Sequence, residues 1–201
     1  MILENKLGIT NQAELAKQEE KISKIQAKKL FDSKDISPAE IGTFASLSFI
    51  HHYLFANIYH FAGKVREVNI AKGNFRFTSV VYLQTALEKI NQMQQNNFEQ
   101  IIEKYVEMNI AHPFREGNGR ATRIWLDLIL KHKIKQAIDW NKIDKEEYLS
   151  AMERSPVNDL EIKNLLKTAL TSKINDRVLF MTNIDISYYY EGYSEFKTQD
   201  L

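Results

Sequence analysis

Glycine and proline are scarce in this chain, and their scarcity limits the folds open to it. The 201 residues include only 7 Gly and 3 Pro. A β-rich fold needs frequent tight turns, which these two residues usually mark, so their scarcity favours long helices. A hydrophobic content of 44% is sufficient for one compact domain with a substantial core, and we expect residues 1–201 to form a single domain.

Charge and cysteine content exclude several classes of function. The chain has 27 basic and 26 acidic residues, a formal net charge of +1, so we expect no direct nucleic-acid partner. It has no cysteine, which excludes disulfides, cysteine-based zinc sites and thiol catalysis.

The first residues lack the basic and apolar regions of a signal peptide, and no apolar run approaches the ~18 residues of a membrane span. These features predict a cytoplasmic protein without a membrane partner.

Two helices are predicted in the N-terminal part of the chain. Residues 11–31 are charged, with a few apolar positions at helical spacing, which predicts a surface helix of modest amphipathicity. The next helix is predicted to start at Ser37, because a serine N-cap is followed by Pro38 at the first helical position and by a capping-box glutamate at Glu40. We expect that helix to continue to Gly63, which can end it.

Further helices are predicted downstream from apolar spacing and capping pairs. Residues 83–90 carry three apolar side chains on one helical face. The next helix begins at the N-cap Asn97 and ends just before Pro113, which disfavours a helical residue ahead of it. Residues 119–132 are apolar nearly all round, as in a central buried helix. Three later helix starts are predicted, at Asp144 with Glu147, at Asn158 with Glu161, and at Thr182 for a last helix over 183–191 before Gly192.

One segment has the pattern of a strand pair rather than a helix. Residues 65–70 alternate apolar and polar side chains, residues 71–74 have turn chemistry, and residues 75–77 alternate again. An isolated hairpin cannot form a core, so we expect an exposed flap over about 65–77. The predicted fold is all-α, a helical bundle with one small β-hairpin flap.

The segment from His112 to Arg123 combines residues suited to binding phosphate. Gly117 and Gly119 free the backbone to point successive N–H groups at an anion. The buried helix begins at this point, and its dipole favours the same anion. Arg120 lies three residues before Arg123, so the two share a helix face, and two guanidinium groups fit a polyphosphate better than a single carboxylate.

Three other residues of this segment have separate predicted roles. Glu116 would repel a bare phosphate, and a Mg²⁺ ion bridging its carboxylate and the phosphate oxygens resolves that conflict. His112 lies where the preceding helix ends, and a neutral imidazole there could take a proton from an attacking hydroxyl. Phe114 is expected to anchor the loop in the core.

Taken singly, each of these residues has an ordinary structural interpretation. A histidine near a helix end often caps it or packs inside, Gly-Asn-Gly makes an ordinary turn, and two arginines can form surface ion pairs. Together, a His, an acid, two Gly, an Asn and two Arg within twelve residues at a helix start favour a nucleotide site. The segment does not match other phosphate loops, because it lacks a Gly-Lys-Ser/Thr ending and has Thr122 where a dinucleotide fingerprint has its last glycine.

At every fixed position the segment HPFREGNGRATR resembles the Fic family signature HxFx(D/E)GNGRxxR. The stretches IHHYLFANIYHFAGKVRE, NIAKGNFRF and SYYYEG also resemble Fic proteins, so the resemblance covers roughly residues 28–195. It implies a Fic-type helical bundle with a core over about 28–172. It also implies transfer of AMP from ATP to a hydroxyl side chain of a target protein, with pyrophosphate leaving.

The resemblance assigns a role to each motif residue. It makes His112 the general base and Glu116 the residue that holds Mg²⁺. The phosphates of ATP would contact Gly117, Asn118, Gly119, Arg120 (phosphate chain) and Arg123 (terminal phosphate). A close relative that phosphorylates its target lacks the second arginine, so the presence of Arg123 favours AMP transfer.

The flap has two interpretations. It is a hairpin that covers the core, or it is a strand edge that pairs with an extended target segment. The resemblance favours docking, and the residues implied are Ile70, Ala71, Lys72, Gly73, Asn74, Phe75, Arg76 and Phe77.

The C-terminal SYYYEG also has two interpretations. From the residues alone it is a short helix with an aromatic cluster, in which Ser187 and Glu191 share a face. It resembles the inhibitory motif (S/T)xxxE(G/N) of some Fic proteins, in which the glutamate pairs with the second motif arginine, here Arg123. The resemblance then implies autoinhibition by a helix over about 183–191, and self-modification at Tyr188, Tyr189 or Tyr190 if that helix unfolds.

Two alternative functions stay open from the sequence. Some family members with the inhibitory glutamate remove AMP from a modified target, and a non-enzymatic nucleotide-binding module is a third hypothesis. Binding alone does not require a base, so the intact His112 argues against that third hypothesis. By resemblance only, DNA gyrase and small GTPases are the target proteins to consider, and homo-oligomer formation is left open.

Overall fold

A computed structural model describes residues 2–33, 39–73 and 75–201. These residues form eight α-helices and two small two-stranded antiparallel sheets, which confirms the predicted all-α class. None of the helices within these ranges is long and apolar enough to cross a membrane. The elements are α1 (Gln12–Ser33), α2 (Phe44–Phe55), β1 (Ala71–Lys72), β2 (Phe75–Arg76), α3 (Val80–Gln92), α4 (Phe98–Ala111), α5 (Asn118–Ile134), β3 (Ala137–Ile138), α6 (Lys145–Arg154), α7 (Leu160–Thr168), β4 (Leu170–Thr171) and α8 (Arg177–Tyr190), with short 3₁₀ helices at Trp140–Lys142 and Thr198–Asp200.

Helix α5 is the centre of the bundle, as its apolar sequence predicts. It packs against α2, α4 and α8. Its side chains Trp125, Leu126, Ile129 and Leu130 are fully buried. The indole N–H of Trp125 donates to Ser46 Oγ at 3.0 Å, so the one polar atom of this side chain keeps a partner inside the core.

Several predicted helix starts are confirmed by their caps. The Asn97 side chain accepts a hydrogen bond from Gln100 N at the start of α4, and the Asp144 side chain accepts from Glu146 N and Glu147 N at the start of α6. Helix α4 ends at Ala111, within the range that Pro113 predicts.

The predicted start of the second helix is wrong. Ser37 and Pro38 lie outside the described residues, and Glu40 is not helical. Helix α2 begins at Phe44, capped by the side chain of Thr43, which accepts from Ser46 N. Gly42 has a φ of +87°, which a right-handed helix cannot contain, so the helix starts after it.

Three other helix boundaries also differ from the prediction. Helix α2 ends at Phe55, before turns that reach Gly63. Helix α8 begins at Arg177, where the Asp176 side chain accepts from Leu179 N, whereas Thr182 is inside the helix and its hydroxyl donates to Val178 O. The start of α7 is one residue later than predicted, with Asp159 at the N-cap, because the side chain of Glu161 pairs with Arg154 and does not complete a capping box with Asn158.

The flap forms, but its strands are shorter and later than predicted. Residues 65–70 are not a strand, and β1 instead consists of Ala71–Lys72, which were predicted as turn. These residues pair antiparallel with β2, with Ala71 opposite Arg76 and Lys72 opposite Phe75. A second small sheet, β3 with β4, was not predicted, since two-residue strands leave no periodicity in the sequence.

Helix α1 is not the surface helix that its charged sequence predicts. It buries Glu19, Glu20, Ser23 and Lys24. The Lys24 ammonium contacts Glu20 Oε1 at 2.9 Å and Asp185 Oδ1 at 3.0 Å, and donates to Phe196 O at 2.6 Å. Phe196, a partner of Lys24, lies 172 residues away in the sequence, and a pattern within the helix could not reveal a partner at that distance.

Buried His51 on α2 joins the loop before α5 to the core. Its ring stacks on Phe114 with centroids 3.8 Å apart. Gly63 N donates to Nδ1 at 2.9 Å, so the ring proton must lie on Nε2, which donates to Glu116 O at 2.8 Å. Burial lowers the pKa of His51 from its ordinary value of 6.5 to about 3, so the imidazole is neutral at physiological pH.

The depressed pKa of His51 predicts a loss of stability in mild acid. This contribution is fully present above pH 6.5 and is lost as the pH falls toward 3, because the unfolded chain binds the proton first. His51 should therefore lower the free energy of unfolding by roughly 2 kcal/mol between pH 7.5 and pH 5.0. Urea titrations of wild type and His51→Gln at both pH values measure the difference between them.

The control for this prediction is the wild-type chain at the same two pH values. His51→Gln should lose roughly 2 kcal/mol of the wild-type pH dependence. An unchanged pH dependence in His51→Gln would show that the neutral form of this ring is not what the fold requires.

Candidate active site

A cleft of about 750 Å³ lies between the flap, the loop His112–Gly117, the first turn of α5, helix α6 and the end of α8. The predicted base, the predicted metal-holding glutamate and the glycines of the loop all line it. Arg123 and Glu191 line it as well, so residues 68 positions apart in the sequence meet in one cavity. Residues of α6, including Tyr148 and Met152, complete the wall, and no pattern in the sequence had marked them.

His112 is placed by the end of α4. It is the C-cap residue of that helix, and its φ of +48° is left-handed, which is uncommon for any residue other than glycine. Its Nδ1 lies 3.2 Å from Asn109 O, and its ring stacks on Phe77 of the flap with centroids 3.6 Å apart. A carbonyl can only accept, so Nδ1 carries the proton and Nε2 has a free lone pair.

The protonation state of His112 suits a base. Burial lowers the pKa of this imidazole to about 4, against the opposing influence of the Asn109 hydrogen bond and the Glu191 charge. The ring is therefore neutral at pH 7.

Gly117 and Gly119 allow the tight approach of the loop to its neighbours. Gly117 has a φ of +77°, and a Cβ at this position would lie 2.6 Å from the Phe55 ring. A Cβ on Gly119 would lie 2.3 Å from Glu191 Oε1. Between them, Asn118 turns its buried side chain inward, where Oδ1 accepts from Phe114 N and Nδ2 donates to Phe114 O, both at 2.8 Å. Asn118 thus shapes the loop, and Phe114 is fully buried as predicted.

Glu116 presents a carboxylate at the edge of the cleft. Its side chain is 43% exposed. Oε1 accepts from Gly117 N at 2.9 Å and from Arg120 Nη2 at 3.0 Å, while Oε2 makes no hydrogen bond to any described residue. Among the described residues no three His, Cys, Asp or Glu side chains converge on a metal site. A single carboxylate beside a phosphate site nevertheless fits Mg²⁺, which usually takes one or two carboxylates with substrate phosphates and water.

Arg120 points into the protein rather than into the cleft. Its guanidinium is fully buried, pairs with Glu19 of α1 and lies over the rings of Tyr188 and Tyr193. Burial lowers the pKa of Arg120, but the charge of Glu19 and further neighbours outweigh it and raise that pKa well above its ordinary value. The contact of Arg120 with the phosphate chain therefore stays a prediction, and in this structure Arg120 orients Glu116 instead.

Glu19 is a site residue that the sequence did not reveal. Its carboxylate accepts hydrogen bonds from Arg120, from Tyr59 and, at 2.9 Å, from Tyr193. Burial raises the pKa of Glu19, but Arg120 and the hydrogen bonds lower it more, so the net shift is downward. A lone acid in a charged helical segment looks like solvated surface, and nothing local distinguishes this one.

Arg123 is held by the C-terminal helix. Its Nε donates to Ser187 Oγ at 2.7 Å, and Nη2 donates to Ser187 O and to Glu191 Oε1, both at 2.8 Å. Nη1 lies 3.5 Å from the hydroxyl of Tyr148. The guanidinium donors of Arg123 are thus directed at groups of the protein. The predicted pairing with Glu191 is present, but it consists of a single hydrogen bond from Nη2 rather than a bidentate pair.

Glu191 is charged in this pair. Burial raises the pKa of its carboxyl, but the charge of Arg123 and its hydrogen bond, with smaller contributions from Lys72 and Arg120, lower it to about 2. Lys72 of the flap lies 3.9 Å away. The negatively charged Glu191 carboxylate therefore lies against Gly119, at the position where an anionic ligand of the glycine loop would bind.

The three tyrosines before Glu191 differ in exposure. Tyr188 is fully buried, and its hydroxyl donates to Ser23 Oγ at 2.7 Å. Tyr190 is also buried, and its hydroxyl donates to Ile143 O at 2.8 Å. Tyr189 is 50% exposed. Self-modification of Tyr188 or Tyr190 would thus require α8 to open, whereas Tyr189 already faces solvent.

The flap forms the outer wall of the cleft. Ile70, Ala71, Lys72, Gly73, Phe75 and Phe77 line it, and Arg76 is exposed on the strand β2. Asn74 lies outside the described residues. Docking of a target on this hairpin stays a prediction.

Comparison with known proteins places this cleft in a family context. A model of the Fic/DOC family matches residues 43–130. Protein adenylyltransferase VbhT of Bartonella schoenbuchensis is 28% identical over 218 residues, covering 96% of this chain and 44% of that protein. Probable protein adenylyltransferase Fic of Escherichia coli is 26% identical over 186 residues, covering 87% of this chain and 90% of the relative. This chain thus spans less than half of the first relative and most of the second.

The fold is shared with solved structures. The crystal structure of BepC protein from Bartonella tribocorum with bound AMPPNP superposes with a TM-score of 0.70 at 20% identity, covering 85% of this chain and 93% of that one. The family match covers α2 to α5, including the loop His112–Gly117 and the flap. The signature loop, the relatives and the shared fold make this chain similar to proteins of the Fic/DOC family, whose model matches residues 43–130.

Proposed function

We propose that this chain is a protein adenylyltransferase, which transfers AMP from ATP to the hydroxyl of a Tyr, Ser or Thr side chain on a target protein. The two relatives are named as protein adenylyltransferases, and the BepC crystal structure contains AMPPNP, an ATP analogue. The observation that carries the proposal is the meeting, in one cleft, of a neutral His112 with the glycine loop at the start of α5.

The residues of the cleft are suited to each part of the transfer. Backbone N–H groups of residues 117–119, at the N-terminus of α5, would hold the phosphates of ATP. Nε2 of His112 accepts the proton of the attacking hydroxyl. The hydroxyl oxygen forms a bond to the α-phosphorus, and the bond from that phosphorus to the oxygen bridging the α and β positions breaks. Pyrophosphate leaves with the bonding electrons.

Glu116 is the residue we assign to holding Mg²⁺. Its exposed carboxylate borders the phosphate site, and Arg120 together with Gly117 N keeps it in place. When bound, the ion would neutralise charge on the phosphates and on the leaving pyrophosphate.

We also propose that α8 inhibits this activity. A terminal phosphate that needs the Arg123 guanidinium must displace Glu191, which is joined to it by a charge-assisted hydrogen bond. The Glu191 carboxylate also lies against Gly119 of the phosphate loop. Glu191 is the C-cap of α8, and Gly192, which has a φ of +92°, follows it, so the inhibitory carboxylate lies at the end of the helix rather than within it.

The specific target belongs to this proposal only by family resemblance. DNA gyrase and small GTPases stay predictions, and so do homo-oligomer formation and docking on the flap. Removal of AMP from a modified protein would use the same cleft. Product analysis with radiolabelled ATP and with AMP-labelled protein separates the two reactions.

His112→Ala should abolish transfer and leave ATP affinity nearly unchanged. The base acts on the attacking hydroxyl in the transition state, and such a group contributes about 10²–10⁴-fold to the rate. Incorporation of labelled AMP in a Glu191→Gly chain measures transfer, and calorimetry measures affinity. Exposed His60→Ala is the control and should retain both. An equal loss of ATP affinity in His112→Ala would mean that His112 is structural and the mechanism is wrong.

Glu116→Gln should lower transfer and raise the Mg²⁺ concentration needed for half-maximal rate. The amide keeps the size of the side chain but removes the charge that a hard cation requires. Glu153→Gln is the matched control, because Glu153 lines the same cleft on α6. Initial rates across a Mg²⁺ titration give both values. A Mg²⁺ dependence in Glu116→Gln equal to that in Glu153→Gln rules out the assignment.

Glu191→Gly should raise AMP transfer without changing the fold. A hydrogen bond to a charged group contributes about 1.5–3 kcal/mol, so its loss should increase the rate by roughly 10–100-fold. Arg123→Ala should not have this effect, because it also removes the ligand for the terminal phosphate. Glu195→Gly, in the exposed C-terminal segment, is the control. Incorporation of labelled AMP is measured in the wild type and in the three variants. If Glu191→Gly shows no increase over the wild type, α8 contributes to packing only.

A further inference from the structure

Arg66 is a buried cation outside the signature loop. In the sequence it lies between α2 and strand β1 of the flap, and it is only 4% exposed. No ion pair to a carboxylate engages it among the described residues. Its guanidinium instead donates to four backbone carbonyl oxygens. A buried cation has lost its hydration, and here carbonyl groups are its acceptors. Each of these hydrogen bonds is therefore needed to compensate the burial.

Two of these carbonyls belong to the end of α4. Nε donates to His112 O at 2.8 Å, and Nη2 donates to Ala111 O at 3.2 Å. The backbone N–H of Arg66 donates to Pro113 O at 2.8 Å. Arg66 therefore donates hydrogen bonds to two carbonyl groups at the C-terminal end of α4, and one of them belongs to His112 itself.

The other two carbonyls lie at the two ends of the flap. Nη1 donates to Val68 O at 2.7 Å, just before the hairpin, and Nη2 donates to Thr78 O, just after it. Thr78 N in turn donates to Ile110 O of α4 at 3.0 Å. Phe77, the neighbour of Thr78, stacks on the His112 ring. One guanidinium therefore fixes the backbone of His112 and both ends of the hairpin above it.

We propose that Arg66 is a positioning residue, which holds the His112 imidazole and the flap in one fixed arrangement for transfer. The inference rests on the proposed function, in which His112 is the base and a target hydroxyl lies beneath the flap. A planar guanidinium can direct donors to carbonyls on several sides at once, whereas a lysine ammonium has three donors on a single nitrogen. Arg66→Lys should therefore keep the charge and lose the arrangement.

The test compares Arg66→Lys and Arg66→Gln with Arg154→Lys, all in a Glu191→Gly chain. Arg154 is an exposed arginine that pairs with Glu161 on the surface and has no part in the cleft. Labelled AMP incorporation gives the rate, and calorimetry gives the affinity for ATP. Misplacement of a reacting group by about 1 Å costs about 100-fold. We expect a loss of that size in Arg66→Lys, with unchanged ATP affinity, and no loss in Arg154→Lys.

An NMR measurement separates positioning from general stability. In a chain with ¹⁵N-labelled histidine, the His112 signals should shift in Arg66→Lys, because the Phe77 stacking and the Nδ1 hydrogen bond change. The buried His51 signals should stay in place, since none of the four Arg66 contacts reaches that ring. If Arg66→Gln fails to fold, Arg66→Lys alone decides the question.

Two results would overturn the proposal. One is a transfer rate in Arg66→Lys equal to that of its parent, with unshifted His112 signals. The other is an equal shift of the His51 and His112 signals, which would mean general unfolding. Failure of the proposed function would appear differently, as full activity in His112→Ala, and the NMR result on Arg66 would still stand.

Discussion

Two buried arginines on the first turns of α5 impose the constraint on which the rest of the structure depends. Arg120 and Arg123 are almost fully buried, and a buried cation is strongly unfavourable unless hydrogen-bond acceptors or a carboxylate compensate it. Glu19 supplies that carboxylate to Arg120 from α1, and Glu191 supplies it to Arg123 from the end of α8. Charge compensation thus brings both ends of the chain to the same part of the central helix.

The same constraint explains why α1 has a polar buried face. The C-terminal segment packs near the buried Glu19, and Tyr193 of that segment donates a hydrogen bond to the Glu19 carboxylate. The backbone N–H groups of Glu195 and Phe196 then donate to Glu20. The segment after α8 is therefore fastened to α1 by hydrogen bonds rather than by apolar packing alone.

Sequence patterns predicted the central helix and the caps at Asn97 and Asp144, because each of these depends on residues close together in the chain. The resemblance to a known family predicted the pairing of Arg123 with Glu191, which no local rule contains. The predicted helix from Ser37 was wrong about where the helix starts, because Gly42 has a positive φ and α2 begins after it, at Phe44. The roles of Glu19, His51 and Arg66 were missed because their partners are distant in sequence and mostly backbone carbonyls or buried charges.

The two carboxylates that compensate these arginines are not equivalent, and the difference agrees with the proposal that only the Glu191 contact opens. Glu19 is 3% exposed, lies within a long helix and has three hydrogen-bond donors around it, so its removal would leave a fully buried charge. The side chain of Glu191 is 23% exposed, and this residue is the C-cap of α8, one position after the helix ends at Tyr190. In the proposed function a phosphate would replace Glu191 as the anion beside Arg123, since a guanidinium binds both groups with similar geometry. Arg123 would then be compensated in either state, whereas Arg120 pairs with Glu19 and with Glu116.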